Sequence, residues 1–251
     1  MSAPNFLLID IGNTRLKWAT AGPRGPIRVA GDVATTAVTP GWIASLARKY
    51  PGHRAVLASV VPKPVPAFRR AFTGRLIEIS AALPEPGFRF HYPKPAEIGA
   101  DRLAAAVAAH ARGLYPAIIV ACGTATAFTV LDAKGRLCGG VIAPGLQAQQ
   151  AALLDATAQL PATALRLPRS ALARSTRDAI RAGVILNFQG GVKEIVHRLS
   201  EALPGRRLHV LLTGGNARHL GKNPGFPAKL RPLLVFEGLH IIGLRTRTKT
   251  L

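Results

Sequence analysis

The chain has 251 residues, of which 48% are hydrophobic and 18% charged, a composition that buries a substantial core and excludes a disordered chain. Apolar runs stop well short of the ~20 residues a membrane helix requires, and two cysteines, Cys122 and Cys138, form neither a disulfide framework nor a zinc spacing. The net charge of +21 fits equally an Arg-rich solvated surface or a site for an anionic substrate, while sparse aromatics that do not interleave with basic residues leave no stacking platform for nucleic acid. No membrane partner and no specific nucleic-acid partner are expected. Residues 1–5 lack the basic region and cleavage pattern of a signal peptide, so the expected compartment is the cytosol.

The length admits one large domain or two of roughly 120 residues each. Residues 6–11 form a near-continuous apolar run, read as a buried strand that delivers Asp10 to its end. Gly12-Asn13-Thr14 then turns the chain, and Leu16 and Trp18 resume a strand-like alternation. Glycine tolerates positive φ and Asn and Thr are short and polar, so turn amides could face an anion beside a Mg²⁺-binding acid. An ordinary hairpin with an Asp near its turn fits the same residues. A third strand is predicted at 27–31, a helix at 42–50, a strand at 55–61, a short helix at 65–72 and a strand at 76–79. A proline-rich loop spans 84–95, and an alanine-rich helix spans 100–113, opening with Asp101-Arg102. Asp101 at a helix start reads either as a cap or as a base beside an anion-binding Arg.

The opening pattern then returns. Residues 118–122 are again an apolar strand, running into Gly123-Thr124-Ala125-Thr126, with strands predicted at 127–131 and 136–142. Gly123 matches Gly12, Thr124 matches Asn13, and Ala121 falls where Asp10 stood. Two copies of strand–turn–strand suggest a duplicated α/β fold with a ligand clamped between halves. Helices follow at 146–159 and 176–203, the second expected to be interrupted or kinked near Gly190-Gly191. Ser175-Thr176 would cap it. A strand at 208–212 stops at Thr213-Gly214-Gly215-Asn216, where the glycines could let backbone approach an adenine or ribose. A helix at 237–244 closes the fold, followed by a frayed basic tail at 245–250. No Walker loop, Rossmann glycine motif, histidine ligand spacing or nucleophile elbow is present.

Asp10-x-Gly12-Asn13-Thr14, Tyr92-x-x-Pro95, Gly99-Ala100-Asp101-Arg102, Gly123-Thr124-Ala125-Thr126, Gly139-Gly140 with Ala143-Pro144-Gly145, Ser175-Thr176 and Thr213-Gly214-Gly215 occur in one order. That order resembles the type III pantothenate kinase family, also named for Bvg accessory factor, over about residues 6–244. The resemblance implies an α/β fold of the acetate-kinase/sugar-kinase/Hsp70/actin type, with two ribonuclease-H-like halves divided as 1–115 and 116–251 and assembled as a homodimer. It implies ATP-dependent phosphorylation of pantothenate at its primary hydroxyl, with Mg²⁺, as the first step toward coenzyme A. By the same resemblance Asp10, Gly12, Asn13, Thr14 and Lys17 hold ATP phosphates, with Asp10 on Mg²⁺, and Gly123, Thr124, Gly214 and Gly215 complete the nucleotide contacts. Asp101 is then the general base, and Tyr92, Gly99, Ala100, Asp101, Arg102 and Thr176 line the pantothenate site.

Two departures stand out. Many members carry Asp where this chain has Ala121, and there it binds an activating monovalent cation, K⁺ or NH₄⁺. Thr129 also stands where many relatives have Asp. The expectation is weak or absent K⁺ activation. A diverged, non-catalytic or regulatory protein binding ATP and pantothenate is the alternative reading of the same substitution.

Overall fold

The computed structural model describes residues 5–82, 88–203 and 207–246. The chain divides into two compact units, residues 1–114 with 233–251 and residues 115–232. Each is built on a five-stranded sheet.

In the first unit β1 (Phe6–Ile11) pairs antiparallel with β2 (Arg15–Ala21), which pairs antiparallel with β3 (Arg28–Ala34). On its other side β1 runs parallel to β4 (Arg54–Ser59), and β4 parallel to β5 (Leu76–Glu78), so the sheet order is β3-β2-β1-β4-β5. Helices α1 (Pro40–Lys49) and α2 (Val65–Ala71) cover one face. There Leu7, Ile9 and Ile11 join Ile43, Leu46, Leu57, Phe68 and Phe72 in one core. Thr39 starts α1 as its N-cap, its hydroxyl accepting from the Trp42 amide at 3.2 Å. The opposite face carries Phe6 and Leu8, also fully buried. It meets the last helix, α6 (Leu234–Arg245), which packs along α3 (Ala100–His110). Burial on both faces explains why β1 is apolar without alternation.

The second unit repeats this plan. Its central strand β6 (Ala117–Cys122) pairs antiparallel with β7 (Ala125–Leu131), and β7 with β8 (Leu137–Pro144). β6 is parallel to β9 (His209–Thr213), and β9 to the two-residue β10 (Lys229–Leu230), giving β10-β9-β6-β7-β8. Read from the antiparallel edge, the two orders correspond strand for strand, so the echo in the sequence is a duplicated topology. Helix α4 (Leu146–Asp155) follows β8, and α5 (Thr176–Glu201) crosses the sheet with Ile180, Val184, Ile185, Phe188, Val192 and Val196 buried against Ile118, Val120, Phe128 and Val210.

Several expectations change. The final helix belongs to the first unit, not to a second half running to residue 251, because its apolar face packs on α3 and on the Phe6 face of β1. Helix α5 is continuous through Gly190-Gly191. Two helical glycines cost about 2 kcal/mol together, whereas the large apolar side chains it buries each contribute roughly 1.5–3 kcal/mol. Strand β3 extends to Ala34, with a register shift opposite Trp18/Ala19, and α4 ends at Asp155. Part of the proline-rich loop and most of the basic tail lie outside the described residues. No helix among the described residues is long and apolar enough to cross a membrane.

Candidate active site

Strand alternation decides where Asp10 faces. It shares the face of Phe6 and Leu8, the one that meets α6 and α3, and not the face packed by α1. Lys17 stands opposite it in the β1–β2 register, so the ammonium lies on the same face. Asp101 sits in the first turn of α3, beside Arg102. It is not the cap, since that position is Gly99, with no side-chain bond; an Asp101 carboxylate oxygen accepts from the Arg102 amide at 2.8 Å. Gly99, Ala100, Asp101 and Arg102 thus form one corner of the first unit, with Tyr92 half-buried in the preceding loop.

Electrostatics tie the two acids together. Asp10 is pushed up to about 7, first by burial and then by the Asp101 charge, with Lys17 pulling the other way. A buried carboxylate with a second carboxylate charge close by is a ready place for a divalent cation. Among the described residues no group of three or more His, Cys, Asp or Glu could hold a metal alone. Mg²⁺ takes one or two carboxylates and keeps its remaining positions for phosphate and water. Asp10 fits that role.

The turn after β1 closes with the Gly12 amide donating to the Arg15 carbonyl at 3.0 Å, leaving Asn13 and Thr14 exposed at the tip. The turn after β6 is one residue shorter: the Gly123 amide donates to the Ala125 carbonyl at 3.0 Å, with Thr124 and Ala125 exposed. Neither turn glycine has positive φ, contrary to the sequence expectation, because each turn closes within ordinary backbone geometry. Positive φ appears instead at Gly214, which reaches +88° where the chain passes the Cys122 carbonyl. A Cβ on Gly145 would overlap the Gly123 and Thr124 carbonyls.

Gly214 and Gly215 are exposed after β9, and Thr176 is the exposed first residue of α5. Ser175 caps α5 as expected, its hydroxyl accepting from the Asp178 amide at 3.2 Å. Part of the basic excess gathers here, where Arg166, Arg169, Arg174 and Arg181 line a cavity of about 530 Å³. Cys122 is buried, which pushes its thiol up to about 12, so it is no nucleophile.

Three residues were not singled out from the sequence. Thr35, just after β3, donates its hydroxyl to the Gly12 carbonyl at 2.8 Å. Asn216 donates to the Gly123 carbonyl at 3.1 Å and to the Gln147 side-chain oxygen at 2.8 Å. The duplication was the one sequence signal for them: each follows a strand flanking a turn.

Two five-stranded sheets of matching order, each with a turn at the end of its central strand, define the acetate-kinase/sugar-kinase/Hsp70/actin class. Solved structures agree on the fold. A Campylobacter jejuni protein described as a Baf-family transcriptional activator aligns with TM-score 0.57 and 20% identity over 94% of this chain and 96% of that one. A Listeria monocytogenes protein described as an N-acetylmannosamine kinase aligns with TM-score 0.53 and 13% identity, covering 96% and 99%. The sequence model of the type III pantothenate kinase family matches residues 6–198. A type III pantothenate kinase of Methylacidiphilum infernorum is 35% identical over 239 residues, 95% of this chain and 88% of the relative. One from Rhodospirillum rubrum is 34% identical over 255 residues, covering 96% and 99%. The chain belongs to the type III pantothenate kinase family.

Proposed function

We propose that this protein transfers the γ-phosphoryl group of ATP to the primary hydroxyl of pantothenate, giving 4′-phosphopantothenate. The carrying observation is that Asp10 is buried at the end of β1 within reach of the Asp101 charge, burial first and that charge second lifting it to about 7. Asp101, at the start of α3, takes the hydroxyl proton as the oxygen attacks phosphorus in line. Arg102 beside it suits the pantothenate carboxylate, with Tyr92, Gly99, Ala100 and Thr176 as further substrate contacts. Asp10 would hold Mg²⁺, whose charge would offset that of the phosphates. Lys17 and the Gly12-Asn13-Thr14 turn bind phosphates, as do Gly123 and Thr124, while Gly214 and Gly215 approach the nucleoside. Ala121 has no side-chain oxygen, so we place no K⁺ or NH₄⁺ requirement on turnover. We further propose a cytosolic homodimer, and sedimentation as a monomer at working concentration would count against the dimer.

The test is an ATP-coupled assay with purified protein, Mg²⁺ and pantothenate. Wild type is expected to turn over, and Asp101→Asn to lose at least ~100-fold in kcat while still binding ATP. Undiminished turnover in Asp101→Asn defeats the base role. No turnover by wild type, with ATP and pantothenate both bound, would instead favour the non-catalytic reading.

A further inference from the structure

The turns after β1 and β6 are each tied down by three bonds to consecutive or near-consecutive carbonyls. In the first, the Val60 amide donates to the Ile11 carbonyl at 3.0 Å, the Thr35 hydroxyl to Gly12 at 2.8 Å, and the Thr35 amide to Thr14 at 3.0 Å. In the second, the Asn216 amide donates to Cys122 at 3.0 Å, its side-chain nitrogen to Gly123 at 3.1 Å, and the Gly145 amide to Thr124 at 3.1 Å. The wiring corresponds at its first and third steps. The carbonyl before the glycine is held from the segment after the parallel neighbour strand, β4 or β9. The third carbonyl is held from the segment after the outer antiparallel strand, β3 or β8. In both turns the glycine carbonyl is held by a side chain, supplied from the outer strand in one copy and from the parallel neighbour in the other.

We propose that Thr35 and Asn216 are equivalent positioning residues that set the direction of the phosphate-facing amides in the two turns. The inference rests on the kinase reading above. A trans peptide is planar, with its C=O and N–H on opposite sides. Holding the Gly12 carbonyl therefore fixes where the Asn13 N–H points, and holding the Gly123 carbonyl fixes the Thr124 N–H. Amides fixed before the ligand arrives bind an anion with no reorganisation cost. Asn216 is itself nearly buried and braced by a reciprocal amide pair, the Gln147 side-chain nitrogen donating back to Asn216 at 3.3 Å. That pairing also settles the side chain's orientation, since a flipped amide would set oxygen against the Gly123 carbonyl.

Thr35→Val keeps the shape and removes the hydroxyl donor, whereas Thr35→Ser keeps the donor. Calorimetric binding of a non-hydrolysable ATP analogue and steady-state kinetics should be measured for both, and for Asn216→Ala and Gln147→Ala, alongside thermal melts. Expected are about tenfold weaker analogue binding and a matching rise in KM for ATP in Thr35→Val, with KM for pantothenate unchanged. Thr35→Ser should return to within about twofold of wild type. Asn216→Ala should lose more than Gln147→Ala, because it strips the glycine carbonyl directly. Analogue binding unchanged in Thr35→Val and Asn216→Ala, or Thr35→Ser no better than Thr35→Val, overturns the proposal. So does a wild type that binds no analogue. If wild type binds the analogue and follows the Val/Ser pattern but does not phosphorylate pantothenate, the kinase reading fails and the positioning role stands.

Discussion

The turn after β1 and the turn after β6 are closed by a glycine amide, anchored through three carbonyls and fed by matching strands, yet they differ in charge. In the first, the carboxylate of Asp10 lies between Lys17 on β2 and Ala58 on β4. In the second, Ala121 lies between Ala127 on β7 and Thr213 on β9. The second copy has neither the acid nor the base at the corresponding ladder positions, although its turn carbonyls are held in a similar way. The two copies share a way of presenting amides, and one of them alone carries charge at these positions. In the proposed reading, metal handling and the strongest pull on phosphate fall to the first turn. The second can supply shape.

The largest effect that would sharpen this contrast is Asp10→Asn, expected to lower kcat by about 1000-fold with Mg²⁺ saturating, since it removes the carboxylate of the charged copy. A loss below tenfold would mean the cation is held elsewhere. Next comes the backbone wiring. Gly145→Ala forces a Cβ into the Gly123 and Thr124 carbonyls and should destabilise by about 2–3 kcal/mol in chemical denaturation. Gly12→Ala places its Cβ 3.3 Å from the Arg15 carbonyl and should cost under about 1 kcal/mol. Equal losses would break the picture of a tighter second turn.

Asp10 also makes stability pH-dependent. Its folded value near 7 exceeds the ordinary 3.8, so between those values the folded protein holds a proton that the unfolded chain has released. Stability of the metal-free protein therefore falls as pH rises through that window and is lowest above it. Asp10→Asn should match wild type near pH 4 and exceed it by on the order of 4 kcal/mol at pH 8 in EDTA. A wild type as stable as the variant at pH 8 would show that the acid is not strained. The smallest effect concerns the neutral copy. Wild-type turnover should be within about twofold in K⁺ and in Tris, and Ala121→Asp should add a K⁺ response of about threefold. Strong K⁺ dependence in wild type contradicts the second half of the comparison.

The sequence alone determined much of this molecule, because it speaks through short-range pattern. The unbroken apolar runs of β1 and β6, each ending at a glycine, marked the two central strands and their equivalence. Ala121 opposite Asp10 in that alignment already announced the asymmetry of charge. The motifs around Asp101 placed the acid at a helix start, as found.

Only the tertiary structure decided the rest, since it depends on residues far apart in the chain. Asp10 and Asp101 feel one another because strand alternation turns Asp10 toward the α3 side. The final helix joins the first unit because its apolar face fits α3 and β1, which no local pattern records. Thr35 and Asn216 looked like ordinary loop residues. Their hydrogen bonds reach back 23 and 93 positions to the turn glycines, and a polar side chain shows no periodicity that would betray such a partner.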